Sequence, residues 1–144
     1  VLCSFRNSAI GAGQIFQVEY DADGSAVSFD LRNTDKLNCQ YRYSASYGSY
    51  RNLSIAHAVT NNWFQLVVIK TPTKYSFWLN GELRAATNAT ENVAYNNQSA
   101  WLGTFSYNNG NSHGNYFSGC IGETRLYSRE LSASEIALNY RGLQ

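Results

Sequence analysis

The residues best equipped for chemistry in this sequence cluster near its start. Glu19, Asp21 and Asp23 stand at i, i+2 and i+4, so on an extended strand their three carboxylates face one way. Two carboxylates about 5–10 Å apart are what glycoside hydrolysis requires. Asp21-x-Asp23-Gly24 also gathers oxygen ligands of the kind calcium takes, which makes Asp21 and Asp23 the metal candidates. Asp23-Gly24 is equally turn chemistry, and on that reading the run is a solvated hairpin end. His57 and His113 are far apart, and no serine or cysteine sits in a nucleophile elbow. Neither histidine is therefore read as catalytic; His57, between Ala56 and Ala58, reads as a strand residue and His113 as a loop polar group.

A different chemistry is offered by the stretch from Tyr107 to Tyr116. Sugars present hydroxyls in fans together with one apolar face, so they ask for amide and hydroxyl partners beside an aromatic platform. Tyr107, Asn108, Asn109, Asn111, His113, Asn115 and Tyr116 supply that mixture and are the ligand-binding candidates. Tyr47 and Tyr50 form a second aromatic loop. Asn and Gly are also what tight turns need, so the same loop has a plain structural reading. Three N-x-S/T sequons, at Asn52, Asn88 and Asn97, are candidate N-glycosylation sites. Cys3, Cys39 and Cys120 allow at most one internal disulfide, in any of three pairings, or three buried thiols. No C-x-x-C pair is present, which argues against structural zinc.

Composition narrows the classes further. A formal net charge of +1, spread thinly, excludes a phosphate-tracking surface, so no nucleic-acid partner is expected. No apolar run approaches the ~20 residues of a membrane-spanning helix, so no membrane insertion is expected. The 11 Tyr, 7 Phe and 3 Trp of these 144 residues demand a packed interior, and the length suits a single domain over residues 1–144. An uncharged coat of Asn, Ser and Tyr favours a secreted or surface-displayed protein. With no Met at all, Val1 is read as the product of processing or excision.

The elements that must position these groups are short strands between turn signals, the pattern of an all-β sandwich. Strands are expected at 14–20, 26–31, 38–45, 63–70, 74–80, 82–86, 100–106 and 116–127, with a turn at 47–50. Trp63–Lys70 is the most apolar run and reads as a central strand covered on both faces. Asn80-Gly81 is a strong hairpin signal. One helix is expected, opened by the capping box Ser132-Ala-Ser-Glu135, striped by Ala133, Ile136, Ala137 and Tyr140, and closed near Gly142.

The segments Trp63–Ile69, Tyr75–Leu83, Trp101–Gly103, Phe117–Tyr127 and Arg129–Ile136, in that order and spacing, resemble the laminin G-like module of the concanavalin A-like lectin/glucanase superfamily. The resemblance implies an antiparallel jelly-roll β-sandwich with one short C-terminal helix. It places Trp63, Trp78 and Trp101 in sandwich strands, and it implies that the family's opening strands are missing before Val1. Two positions depart from the family pattern. Gly122 stands where relatives often carry an acidic residue, and Cys120 lacks the nearby upstream cysteine of a laminin-type disulfide. Glucanases of the superfamily carry an acidic run similar to Glu19–Asp23, and pentraxin-like relatives bind calcium, so calcium is a cofactor expectation though none is required. The function implied is a non-catalytic extracellular recognition module for glycans or glycoproteins. The rival is a structural or adhesive protein that assembles with copies of itself, or with other proteins, through open sheet edges; a glycoside hydrolase or lyase is a minor alternative.

Overall fold

A computed structural model describes residues 1–8, 13–21, 24–31, 36–43, 49–56, 61–93, 99–107 and 112–142, with backbone alone at 19–21, 24–26 and 107. The described strands are β1 (Leu2–Asn7), β2 (Gly13–Asp21), β3 (Gly24–Leu31), β4 (Lys36–Arg42), β5 (Tyr50–Ala56), β6 (Phe64–Lys70), β7 (Lys74–Leu79), β8 (Glu82–Asn88), β9 (Ala100–Leu102), β10 (Phe105–Tyr107), β11 (Ser112–Gly114) and β12 (Gly119–Arg125). One helix follows, α1 (Ala133–Arg141). The first sheet has the order β12-β1-β6-β7-β8 and the second the order β5-β4-β3-β2-β9, while β10 and β11 form a small hairpin. All strand pairs are antiparallel, as the jelly-roll sandwich requires.

The core lies between the two sheets. Cys3, Phe5, Leu66, Val68, Tyr75 and Phe77 of the first meet Ile15, Phe16, Phe29, Leu37, Cys39 and Tyr41 of the second. Tyr41 and Tyr75 cross between the layers as an edge-to-face pair with centroids 4.8 Å apart. Strand β6 sits in the middle of the first sheet, as its unbroken apolar run demands. Leu66 and Val68 face the interlayer core, whereas Val67 and Ile69 face a second cluster with Leu131 and Ile136, so α1 supplies the other cover. The capping box forms as read: Ser132 Oγ accepts from the Glu135 amide, and the Glu135 carboxylate accepts from the Ser132 amide at 2.8 Å. At the β7–β8 hairpin Asn80 and Gly81 take φ of 54° and 81°, the left-handed pair that a two-residue primed turn needs.

Several expectations need correction. Strands β1 and β5 fall where none was expected, and Tyr50 opens β5 instead of ending a turn. The stretch 100–106 is two strands, because Gly103 (φ 74°) swings the chain off the sheet edge and lets β10 pair with β11. Strand β11 itself lies inside the stretch read as loop. Trp63 precedes β6 and is 42% exposed, not packed in the sandwich; Trp78 and Trp101 are half-buried. Among the cysteines, Cys3 and Cys39 are buried and Cys120 is exposed, and all three are free thiols. Cys120 lies outside because it sits opposite Arg6 on the edge pair β1–β12, with Arg6 Nη2 donating to its sulfur at 3.5 Å.

Candidate functional site: the polar face of the second sheet

Strands β2 to β5 alternate, so the side chains that do not enter the core line the opposite face of the second sheet. Register places them in rows. Trp101, Gln17, Ser28, Gln40 and Asn52 are successive cross-strand partners from β9 to β5. A second row runs Gln14, Asp30, Asn38, Ser54, and a third pairs Arg42 with Tyr50. Among the described residues these rows carry amides, hydroxyls, the Asp30 carboxylate and the Arg42 guanidinium, with Lys36 in the same phase of β4 and aromatic rings at the margins.

Hydrogen bonds fix these groups. Ser54 Oγ donates to Asn38 Oδ1 at 2.6 Å, and Asn38 Nδ2 donates to Asp30 Oδ1 at 3.2 Å. Arg42 Nη2 donates to Tyr50 OH at 2.6 Å, with the guanidinium 5.1 Å from the tyrosine ring centre. Gln17 clamps the β10–β11 hairpin over the sheet, donating to Ser106 O at 2.8 Å and accepting from Ser106 N at 2.6 Å. On the same hairpin His113 meets Trp101 edge-on, with centroids 4.7 Å apart. Gln14 donates to Phe16 O and Phe29 O, where a bulge in β2 lets it reach the backbone.

Burial is graded along the rows. Gln17, Ser28, Asp30 and Arg42 are buried, Asn38 and Gln40 half-buried, Asn52 and Ser54 exposed. The face thus runs from a roofed interior at β2–β3 to open solvent at β5. At the roofed end Ser28 Oγ, Ser106 Oγ, Gln14 Oε1 and His113 Nδ1 are buried without a hydrogen-bond partner. Buried polar atoms left in this way mark places where water or a ligand completes the network.

Of the residues singled out from sequence, Tyr50 lies on this face and His113 at its β9 margin. Asn115 and Tyr116 are exposed at the start of β2, where Asn115 O accepts from Gln14 N at 2.8 Å. Tyr47, Asn108, Asn109, Asn111, Asp23, His57 and Asn97 lie outside the described residues, as do the side chains of Tyr107, Glu19 and Asp21. Strand β2 ends at Asp21 and its register shifts on both sides of Glu19. Among the described residues no three metal-ligating side chains gather. Asn52 is exposed on the face itself, and Asn88 is exposed at the end of β8. Gln17, Ser28, Asp30, Asn38, Gln40 and Arg42 were missed as site residues. Their signal was the polar phase of β3 and β4, where Ser28 and Asp30 alternate with Val27, Phe29 and Leu31, and Gln40 and Arg42 oppose Cys39 and Tyr41.

The laminin G pattern of the concanavalin A-like lectin/glucanases superfamily matches residues 5–137, and the chain belongs to that family. Solved structures agree on the fold. A heptameric SAP-like pentraxin from Limulus polyphemus superposes with a TM-score of 0.65 at 14% identity, over 94% of this chain and 66% of that one. The CBM40 of a Ruminococcus gnavus IT-sialidase, also solved bound to α2,3-sialyllactose, gives 0.72 at 20% identity, over 96% of this chain and 80% of that one. Domains LG4-5 of the mouse laminin α1 chain give 0.62 at 12% identity, over 83% of this chain and 32% of that one. The chain therefore spans just under two thirds of the pentraxin and about a third of the laminin pair. Comparison with curated protein sequences finds no match. Among the described residues no helix is long and apolar enough to cross a membrane.

Proposed function

We propose that the chain is a single-domain, non-catalytic carbohydrate-recognition module of a secreted or surface-displayed protein, with its ligand on the open half of the polar face. The observation that carries this reading is the graded ladder of amides and hydroxyls from buried Gln17 and Ser28 to exposed Asn52 and Ser54. Such a ladder offers donors and acceptors at cross-strand spacing to the hydroxyl fan of a sugar, and Tyr50 supplies aromatic surface. The Ruminococcus gnavus module bound to sialyllactose supports a glycan ligand for this architecture.

The test is a glycan array, α2,3-sialyllactose included, probed with the purified chain in calcium and again in EDTA. A competable hit is expected, weakened about tenfold or more by Asn38→Ala with Gln40→Ala, since each lost hydrogen bond in a binding site is worth ~0.5–1.5 kcal/mol. Loss of the hit in EDTA would assign calcium to the ligand and make Asp21 and Asp23 the residues to substitute. A blank from well-folded protein would overturn the reading in favour of assembly through the sheet edges, which sizing in solution would then measure.

A further inference from the structure

The outer face of the first sheet carries a second polar site built from other residues. At one end of that face Leu2, Val67, Ile69 and Trp78 are covered by the cluster around Ile136 of α1. Beyond the helix, Ser4 and Gln65 are cross-strand partners facing outward. The β1–β12 register jumps from Cys3–Thr124 to Phe5–Ile121, so both Gly122 and Glu123 stand opposite Ser4. Ser4 Oγ donates to Glu123 O at 3.3 Å. Ser4, Gln65, Glu123, Arg125, Leu138 and Asn139 are the main lining of a notch of about 160 Å³ between this floor and the end of α1.

Three observations indicate that the notch is made for a ligand. Gln65 lines the floor, is 1% exposed, and its Oε1 is buried without a hydrogen-bond partner. The rim is a fixed, self-neutralising pair: Arg125 Nη2 lies 2.6 Å from Glu123 Oε1, and Arg125 Nη1 donates to Asn139 Oδ1 at 3.2 Å. Apolar surface lines the notch at Leu138, 69% exposed, and Trp63, 42% exposed, lies near the floor residue Ser4, across Gly122. Gly122 is what lets Trp63 lie close: a Cβ there would come 3.2 Å from the indole and 2.5 Å from Ser4 Oγ. The Arg6 guanidinium sits over the same ring at 5.6 Å.

Donors and acceptors without net charge suit a polyol better than a phosphate or an ammonium group. The volume lies below the range of drug-sized pockets and admits one small ring. We propose that this notch is a second carbohydrate subsite, taking the hydroxyls of one neutral pyranose, with Trp63 as the apolar surface beside it. The proposal rests on the recognition reading for the class of ligand and uses none of its residues. If it holds, the module is two-sided and can bridge glycan chains.

The test is a titration of the ¹⁵N-labelled chain with galactose and, separately, N-acetylglucosamine. Saturable shifts are expected at Ser4, Gln65, Gly122, Asn139 and the Trp63 indole. Gln65→Leu removes the buried acceptor; Glu123→Gln, at an exposed position, removes the carboxylate that neutralises Arg125 without endangering the fold. Each is expected to weaken the sugar about tenfold and to leave any shifts at Asn38 and Gln40 unchanged. Shifts at the notch alone would support this site and count against the polar face. Shifts confined to Asn38 and Gln40, or no saturable shifts at all, would overturn it and leave Gln65 to be satisfied by water.

Discussion

At position 42 an arginine points away from the core and is still only 2% exposed, held by the hydroxyl and the ring of Tyr50. A buried guanidinium is tolerated only where its hydrogens are met, so Tyr50 does structural work as well as offering a surface to ligand. Tyr50→Phe keeps the ring and removes the acceptor. The expected cost is about 1–2 kcal/mol in urea unfolding, the range for a hydrogen bond to a charged group, together with weaker glycan binding. Unchanged stability would mean that Arg42 is held by its other contacts. Tyr50 was legible in sequence because aromatic residues among Gly and Ser invite a binding reading. Arg42 was not, since a polar residue in the outward phase of a strand looks the same whether it meets solvent or a roof. Only the register, which sets Tyr50 beside it, tells the two apart.

At the scale of the element, α1 shows how much a local signal can fix. Ser132 and Glu135 cap each other, Arg129 adds a pair to the Glu135 carboxylate at 2.6 and 3.0 Å, and Ile136 is fully buried. Arg129 first, then the Ser132 amide and hydroxyl, lower the Glu135 pKa from 4.5 to about 2. The folded value lies below the unfolded one, so the stabilisation is complete above about pH 4.5 and is lost as pH falls through about 2. Wild type and Glu135→Gln should therefore differ in urea midpoint at pH 6 and converge by about pH 2. A difference independent of pH would show that the carboxylate charge is not what matters. The strands were less evenly legible. The apolar run 64–70 and the Asn80-Gly81 turn announced β6 and the β7–β8 hairpin. Strand β5 has only Tyr50, Leu53 and Ile55 half-buried among exposed residues and gives a faint alternation. Strand β1 hides in the mixed run Leu2–Asn7, where Ser4 and Asn7 are buried with Cys3 and Phe5.

The whole molecule is a sandwich whose two outer faces differ in what they keep. One end of the first sheet's outer face is sealed by α1, leaving a small neutral notch; the second sheet's outer face is mostly polar among the described residues and open toward β5. The series of motifs from Trp63 to Ile136 made the architecture legible, because each belongs to a packed strand or cap whose geometry is shared across the family. The polar rows of the second sheet were less legible, because they arise from pairings between residues up to dozens of positions apart. Glycan attached at Asn52 would stand directly on the polar face, so binding tests belong on chain made without glycosylation. The most direct test of the account is the crystal structure of the chain with its best array ligand. The account predicts a sugar seated across β4 and β5, within hydrogen-bond distance of Asn38, Gln40 or Asn52 and against Tyr50. A sugar bound elsewhere, with these side chains untouched, would contradict it.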